Sequence, residues 1–278
     1  MAETSETRPP TDVATELSFF VPDGARPRVL MSAAYTGENR RSGTFRDEPV
    51  TIHDARRAQP PPRLEREGFE LVDFASDCAD FYDAAEVEAR HYPEIEAFLK
   101  AHTGAGHVHI FDHTLRVQDD AVREANDTRG PVLTVHNDYT ETSGPRRVRD
   151  LLEPDLAAKF LAGRFALVNV WRSIGESAER LPLAIADART MRMDDFVATD
   201  LVYEDRTGEI YQIAHSAGQR WSYFQGLEPH EAVLLKCFDS ATDGRARYTA
   251  HGAFENPNAQ PGTPPRASIE VRTLLGFV

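Results

Sequence analysis

A histidine and an aspartate lie two residues apart near the middle of the chain, in the segment TVHNDYT that begins at Thr134. Side chains two apart on a β-strand point to the same face, so His136 and Asp138 can reach one ion together. A non-haem iron(II) site of the facial type needs a second histidine and keeps its other positions open for substrates. The sequence offers His251, in YTAHGAFENP, 113 residues after Asp138. These three residues are the predicted metal ligands and the predicted catalytic centre.

An arginine and a serine follow the third ligand, in PPRASIEV. Arg266 comes fifteen residues after His251, and Ser268 comes two residues later. The order HxD, a distant His and then Arg-x-Ser resembles the iron/2-oxoglutarate dioxygenases. In that superfamily the Arg and the Ser hold the far carboxylate of 2-oxoglutarate, and a guanidinium fork suits a carboxylate because it pairs with both oxygens. The resemblance therefore implies that Arg266 and Ser268 bind the co-substrate.

A longer series of segments carries the resemblance further, over roughly residues 17 to 275. It is similar to the gibberellin-desaturase-like and AsaB-type hydroxylase/desaturases, a family that also includes a cephem-methoxylation protein. The resemblance implies Fe(II), 2-oxoglutarate and O2 as cofactors, and the hydroxylation or desaturation of a small specialised metabolite with release of succinate and CO2. The long gap from Asp138 to His251 implies inserted strands. The segments, in chain order, are FDHTLR, VHNDYT, VNVWRSI, LPLAIADAR, QRWSYF, LLKCFDS, AHGAFENP and PPRASIEVR.

Two polar residues of NVWRSI are further candidates for contact with 2-oxoglutarate or with the substrate. Asn169 and Trp171 share one face of the predicted strand, and Arg172 takes the other. A buried arginine usually needs a partner, so an internal ion pair is the alternative for Arg172. We keep Asn169 and Arg172 as candidate cofactor-binding residues.

Aromatic side chains supply the candidate substrate pocket. Tyr139 follows Asp138 directly, and Trp221 and Tyr223 lie in QRWSYF. His113 belongs to FDHTLR, which the resemblance places on the substrate side of the barrel. Aromatic clusters also form cores, and that alternative stays open for each of these residues.

Two other histidine patterns compete for the metal. His215 in YQIAHSAG has no Arg-x-Ser at the right distance. His107 and His109 in HVHIFDH are two apart, as in the HxH of a cupin site, but the nearest carboxylate is Asp112. We favour a structural or substrate-facing role for His215 and a strand packed near the site for the HVHIFDH segment.

The elements that must position these residues are mostly strands. About eight segments after residue 163 alternate apolar and polar residues between turns rich in Gly, Pro, Asp and Asn. Two helices are predicted, in DAAEVEARHYPEIEAFLKAHTG and in RRVRDLLEPDLAAKFLAG. We expect a mainly β fold with flanking helices (α+β), built on a double-stranded β-helix, a jelly-roll core of the cupin type. Residues 1–15 are expected to be a disordered tail, and 16–278 a single jelly-roll oxygenase domain with a mixed α/β N-terminal portion.

Charge and cysteine content narrow the function classes. A net charge of −14 argues against nucleic acid and against an anionic membrane as partners. It leaves room for a small anionic substrate, because a pocket can be locally basic. The two cysteines, Cys78 and Cys237, fit a reducing compartment, and there is no secretory signal, so we expect a cytoplasmic protein. A small-molecule substrate is the expected partner; a homo-oligomer or a partner enzyme stays open.

Three functions stay open on the sequence alone. The first is the iron/2-oxoglutarate oxygenase. The second is a jelly-roll protein without catalysis that binds a metabolite or assists a biosynthetic enzyme. The third is a cupin-type metalloenzyme that uses His107 and His109 without 2-oxoglutarate. Release of succinate separates the first from the other two.

Overall fold

Two β-sheets make up most of the chain in the computed structural model, which describes residues 11–31 and 41–277. One sheet has the order β1-β3-β11-β8-β13-β6-β10-β9-β2 and the other has the order β4-β12-β7-β14-β5. The strands are β1 Val13–Val21, β2 Arg28–Leu30, β3 Thr44–Asp54, β4 Phe69–Asp73, β5 His107–Val117, β6 His136–Asn137, β7 Phe165–Ser173, β8 Leu183–Ala186, β9 Phe196–Val202, β10 Thr207–Ile213, β11 Trp221–Tyr223, β12 Glu231–Asp239, β13 His251–Ala253 and β14 Ala267–Gly276.

Short helices flank the sheets. The α-helices are α1 Ala84–Glu86, α2 Tyr92–Thr103, α3 Asp120–Asn126, α4 Ser143–Leu151 and α5 Pro154–Ala162; the π-helix Val87–His91 joins α1 to α2, and 3-10 turns span Ala55–Arg57, Ala188–Thr190 and Met193–Asp195.

The central strand of the five-stranded sheet is buried on both faces, as all nine residues of β7 are buried. Leu167 and Trp171 belong to the large core shared with the nine-stranded sheet. Val168 and Val170 belong to a second core that includes Ile95 of α2. The first face is therefore the inner face, between the sheets, and the second is the outer face, under the helices. The expected mainly β fold with flanking helices and a jelly-roll core is confirmed.

The predicted helices form, with one correction. The first is confirmed and ends at Gly104, whose φ of 74° suits a residue without a Cβ and whose N–H bonds to Lys100. The second is two helices, α4 and α5, because Pro154 disfavours helical backbone at the residue before it and begins a new helix.

The N-terminal boundary differs from the expected one. Residues 1–10 of the predicted tail lie outside the described residues, but β1 already begins at Val13 and pairs with Ile52 of β3. Within the described part of the chain, no helix is long and apolar enough to cross a membrane.

Candidate metal centre

Two strands of the nine-stranded sheet bring the predicted histidine ligands together. His251 of β13 is in register with His136 of β6, and their ring centroids are 4.7 Å apart. Gly252 allows this close pairing, since a Cβ there would lie 3.1 Å from a methyl carbon of Val135. Asp138 follows β6, and its Oδ1 is 3.6 Å from Nε2 of His136. A ligand atom from each of His136, Asp138 and His251 lies within 4.8 Å of the other two.

Backbone carbonyls fix which nitrogen of each imidazole is free. Nδ1 of His136 lies 2.9 Å from the carbonyl oxygen of Thr134, and Nδ1 of His251 lies 3.0 Å from that of Thr249. A carbonyl accepts but does not donate, so Nδ1 carries the proton and Nε2 keeps its lone pair. This orientation is the one that metal-binding histidines adopt.

The charge states also suit a divalent cation. Burial, together with the neighbouring His251, lowers the pKa of His136 to about 3, so its ring is neutral at neutral pH. Burial opposes ionisation of Asp138, but Arg272 above all holds the pKa of that carboxyl well below its usual range. Two histidines and one carboxylate form the ligand set of non-haem Fe(II) sites with open positions. The residues therefore fit such an ion.

The outer oxygen of Asp138 is held by two side chains of the facing sheet. Its Oδ2 accepts from Nδ2 of Asn169 at 2.8 Å and lies 3.3 Å from Nε of Arg272. Arg272 is in register with Asn169 and also bonds to Asp112 at 3.1 Å and to Glu270 at 2.7 Å. Oδ1 is thereby left to face the histidines. Asn169, predicted to contact 2-oxoglutarate or substrate, bonds to Asp138 in the structure.

Arg266 and Ser268 lie together on or beside β14. Arg266 is 2% exposed, and its Nε donates to Oγ of Ser268 at 3.1 Å while Nη1 donates to the carbonyl of Leu181 at 2.9 Å. Its guanidinium stacks over Trp171 at 5.1 Å from the ring centroid. Burial lowers the pKa of Arg266 to about 9, and nearby Arg116 contributes. A buried cation of this kind is a suitable anchor for an anion.

Two candidate site residues, Arg172 and His113, lie on the outer face of the five-stranded sheet, away from the metal ligands. Arg172 points to the outer face, where it bonds to the carbonyl of Pro229 and stacks against Phe81. His113 is in register with Val271 of the outer core and shares a 2.8 Å hydrogen bond with Tyr92 of α2. The prediction that Arg172 binds the co-substrate and that His113 lines the substrate pocket is thus corrected.

The aromatic candidates are mostly core residues. Trp221 is 1% exposed and packs edge-on against Phe19, and Tyr223 is 2% exposed and donates its hydroxyl to the carbonyl of Thr11. On β11, Ser222 is in register with Ile185, which is also in register with His251, so these three side chains share one face of the sheet. Trp221 and Tyr223, which flank Ser222, therefore lie on the opposite face from His251. The prediction that Trp221 and Tyr223 line the substrate pocket is therefore corrected. Tyr139 is buried beside Asp138, and burial raises its pKa.

The rival histidines do not join the cluster. Among residues 11–31 and 41–277, His136, Asp138 and His251 form the one group of three such side chains that could hold a metal. His215 packs against Phe19, and His107 packs against Phe160. The cupin-type alternative, with His107 and His109 as ligands, therefore has no third ligand in the described structure.

Two residues that the predictions missed are Arg116 and Arg272. Arg272 continues the alternation of Ser268 and Glu270 along β14, so its place on the inner face was available from spacing. Arg116 belongs to the FDHTLR segment, but its neighbour on β14 depends on the sheet order, which spacing does not reveal.

Comparison with known proteins gives one consistent result. Residues 17–276 match a family model described as YDMC, oxidoreductase/YMDC permease-like domain. The chain is 31% identical to the Fe(II)/2-oxoglutarate-dependent dioxygenase nvfI of Aspergillus novofumigatus, over 94% of this chain and 95% of that protein. It is 29% identical to the hydroxylase/desaturase efuI of Hormonema carpetanum, over 98% and 97% of the two chains. A solved structure of the iron and alpha-ketoglutarate-dependent endoperoxidase NvfI matches with a TM-score of 0.84 and 27% identity, covering 96% of this chain and 98% of that one.

Proposed function

Because the chain belongs to the family of Fe(II)/2-oxoglutarate-dependent dioxygenases, we propose that His136, Asp138 and His251 hold its iron. The observation that carries the proposal is the pair of Nδ1 bonds to backbone carbonyls, which leaves both Nε2 atoms free beside an ionised carboxylate. Arg266 and Ser268 bind the far carboxylate of 2-oxoglutarate. The hydrogen bond between them and the burial of the guanidinium support this role.

The chain is an oxygenase that uses Fe(II), 2-oxoglutarate and O2 to hydroxylate or desaturate a small specialised metabolite. When bound, iron and 2-oxoglutarate supply the oxidation of the substrate by O2, with release of succinate and CO2.

The protein's own residues supply geometry and charge. Asn169 and Arg272 hold Oδ2 of Asp138, so this carboxylate would offer Oδ1 to the metal. Trp171, fully buried beside Arg266, excludes water from that guanidinium and strengthens its attraction for a carboxylate. Arg266 and Ser268 would thus hold the far carboxylate of the 2-oxo acid.

The test is an anaerobic titration with Fe(II) and then 2-oxoglutarate, followed by the weak visible charge-transfer band of the chelate. We expect the band in the wild-type protein and its loss in His136→Ala and His251→Ala, which should not bind iron. Arg266→Ala should bind iron but need more 2-oxoglutarate. His215→Ala is the matched control, because this exposed histidine lies outside the cluster, and it should behave as wild type.

The outcomes separate the three functions. Full turnover in either histidine variant overturns the ligand assignment. Iron binding without the 2-oxoglutarate band indicates a cupin-type site with another co-substrate. A wild-type protein that binds no iron at all indicates a binding protein without catalysis. Succinate release in a substrate screen then scores turnover.

We further propose that the enzyme works in the cytoplasm as a single domain that begins by Val13, where β1 starts, rather than at residue 16, and that it acts alone, as a homo-oligomer or with a partner enzyme. Cys78 and Cys237 are both buried and free, which supports a reducing compartment. The inner core contains residues of both sheets, which supports a single domain.

A further inference from the structure

Two guanidinium groups lie on the inner side of the five-stranded sheet without an ion-pair partner among the described residues. Arg116 is on β5, the edge strand, and its Cα is in register with that of Ser268 on β14. Side chains directly opposite on neighbouring antiparallel strands lie on the same face, so Arg116 and Ser268 both point between the sheets. Arg116 is therefore a neighbour of the proposed carboxylate anchor, Arg266.

The hydrogen bonds of these two arginines go to neutral groups. Nη1 of Arg116 donates to the carbonyl of Gly130 at 3.0 Å, and Arg266 donates to Leu181 and Ser268. Within residues 11–31 and 41–277, neither guanidinium has a carboxylate oxygen within 4.0 Å. Arg272 differs, since it contacts three carboxylates. Two neighbouring cations, one buried and one half-buried, are unfavourable without a direct ion pair.

The electrostatics agree with this placement of Arg116 beside the anchor. Burial lowers the pKa of Arg266 to about 9, and repulsion by Arg116 adds to this effect, while Glu270 opposes it. Burial also lowers the pKa of Arg116, and Glu270 again opposes the change. Glu270 therefore acts on both arginines from beyond ion-pair distance, and its one ion pair within the described part of the chain is with Arg272.

We propose that Arg116 is a second cation that binds the carboxylates of 2-oxoglutarate, an inference that rests on the function proposed above. The dianion would form direct ion pairs with Arg116 and Arg266, which have none within 4.0 Å among the described residues. Ser268, which is in register with Arg116 and accepts from Arg266, would donate its hydroxyl to the anion. Binding of the co-substrate then relieves the repulsion between the two guanidinium groups as well as forming new hydrogen bonds.

The test compares Arg116→Gln with Arg129→Gln. Arg129 is exposed and faces Arg116 across an isolated backbone bridge, so the two variants remove the same charge from the same region. Fe(II)-loaded protein is titrated anaerobically with 2-oxoglutarate, and the charge-transfer band gives the Kd. We expect Arg116→Gln to raise this Kd by about 10- to 100-fold, the usual effect of losing a hydrogen bond to a charged group. Arg129→Gln should change it by less than about threefold.

A second readout excludes a merely structural role. Removing Arg116 ends its repulsion with Arg266, so the apoprotein's thermal midpoint should stay the same or rise. The rise of that midpoint on adding 2-oxoglutarate to the Fe(II)-loaded protein should shrink, because stabilisation by a ligand falls as its Kd increases. Arg116→Lys, which restores the charge, should recover part of the affinity.

Two results overturn the inference. One is an Arg116→Gln variant whose Kd for 2-oxoglutarate stays within about threefold of the wild-type value. The other is a destabilised apoprotein whose 2-oxoglutarate affinity and ligand-induced stabilisation are unchanged. Failure of the proposed function looks different, since the wild-type protein itself would then give no charge-transfer band.

Discussion

Asn169→Leu isolates the support of the metal ligand Asp138. The substitution keeps the size of the side chain and changes no charge, but it removes the 2.8 Å hydrogen bond from Nδ2 of Asn169 to Oδ2 of Asp138. Arg272 still pairs with the same oxygen at 3.3 Å. Asp138 should therefore remain ionised while its orientation loosens.

The expected loss follows from the charge on the acceptor. A hydrogen bond to a charged group contributes about 1.5–3 kcal/mol, which corresponds to about 10- to 150-fold in an equilibrium constant. Changes to groups that orient a metal ligand usually cost 10- to 100-fold in metal affinity or activity, about the same range. Oδ1 of Asn169 has no hydrogen-bond partner in the described structure, so replacing the amide also removes an unsatisfied buried atom. The fold should therefore tolerate leucine.

The assay is an anaerobic Fe(II) titration of wild type, Asn169→Leu and a control, Asn256→Leu. Asn256 donates to the carbonyl of Glu179 at 3.0 Å and accepts from the backbone N–H of Asn258 at 3.0 Å, so the control loses two amide hydrogen bonds, neither of them to a metal ligand. We expect the Kd for Fe(II) to rise about 10- to 100-fold in Asn169→Leu and to stay near wild type in the control. Equal affinities in all three proteins would refute the reasoning, because Asn169 would then have no part in holding Asp138.

Three further predictions concern residues away from the metal. Arg172→Met should leave the 2-oxoglutarate Kd within about twofold and should not lower the thermal midpoint, because Nε and Nη1 of Arg172 are buried without partners; weaker binding of 2-oxoglutarate would restore its predicted role. Burial lowers the pKa of His91 to about 4, so the unfolded chain binds the extra proton below about pH 6.5 and stability falls from there towards pH 4. Denaturant unfolding at several pH values measures this fall in the free energy of unfolding. It should be smaller in His91→Phe than in the wild type, and an equal fall in both proteins would contradict the prediction. Lys236→Met should lower the free energy of unfolding by about 3 kcal/mol in urea, because the ammonium is fully buried against Asp239 and Glu65; an unchanged midpoint would show that the pair contributes nothing.

The part of the site that depends on local spacing was predictable from the sequence. His136 and Asp138 are two apart, and so are Arg266 and Ser268, and a strand places such pairs on one face whatever surrounds it. Pairing between distant strands was not predictable in the same way. Arg116 reaches the site only because β5 lies next to β14, and that follows from the sheet order.

The errors in the site concern which face of a strand looks inward. In β7 every residue is buried, so the polarity of Asn169, Trp171 and Arg172 does not tell which face looks between the sheets and which lies under the helices. His113 on β5 and Trp221 on β11 were also assigned to the wrong face, although β5 is mostly half-buried and β11 is not buried throughout. The alternation along a strand shows which residues share a face, but it does not show which of the two faces lies between the sheets. That depends on how the strand packs.

Among the helices, the outcome depended on the strength of local signals. α2 has Pro93 near its start and Gly104 at its end, and it was predicted correctly. α3 was not among the predicted helices, since no apolar stripe marks its seven residues. Its capping signal was present, because the side chain of Asp119 accepts from the backbone N–H of Val122.

The charges at the site differ from those of the whole chain. The chain has a net charge of −14, which disfavours binding to polyanions. Between the sheets, three arginines stand against three carboxylates. Arg272 contacts all three carboxylates, while Arg116 and Arg266 have no carboxylate oxygen within 4.0 Å in the described structure. A divalent cation on the three ligands would make this set of charges positive, and a dicarboxylate of charge −2 would balance it. The metal-loaded site would therefore attract a small dianion even though the acidic exterior disfavours polyanions.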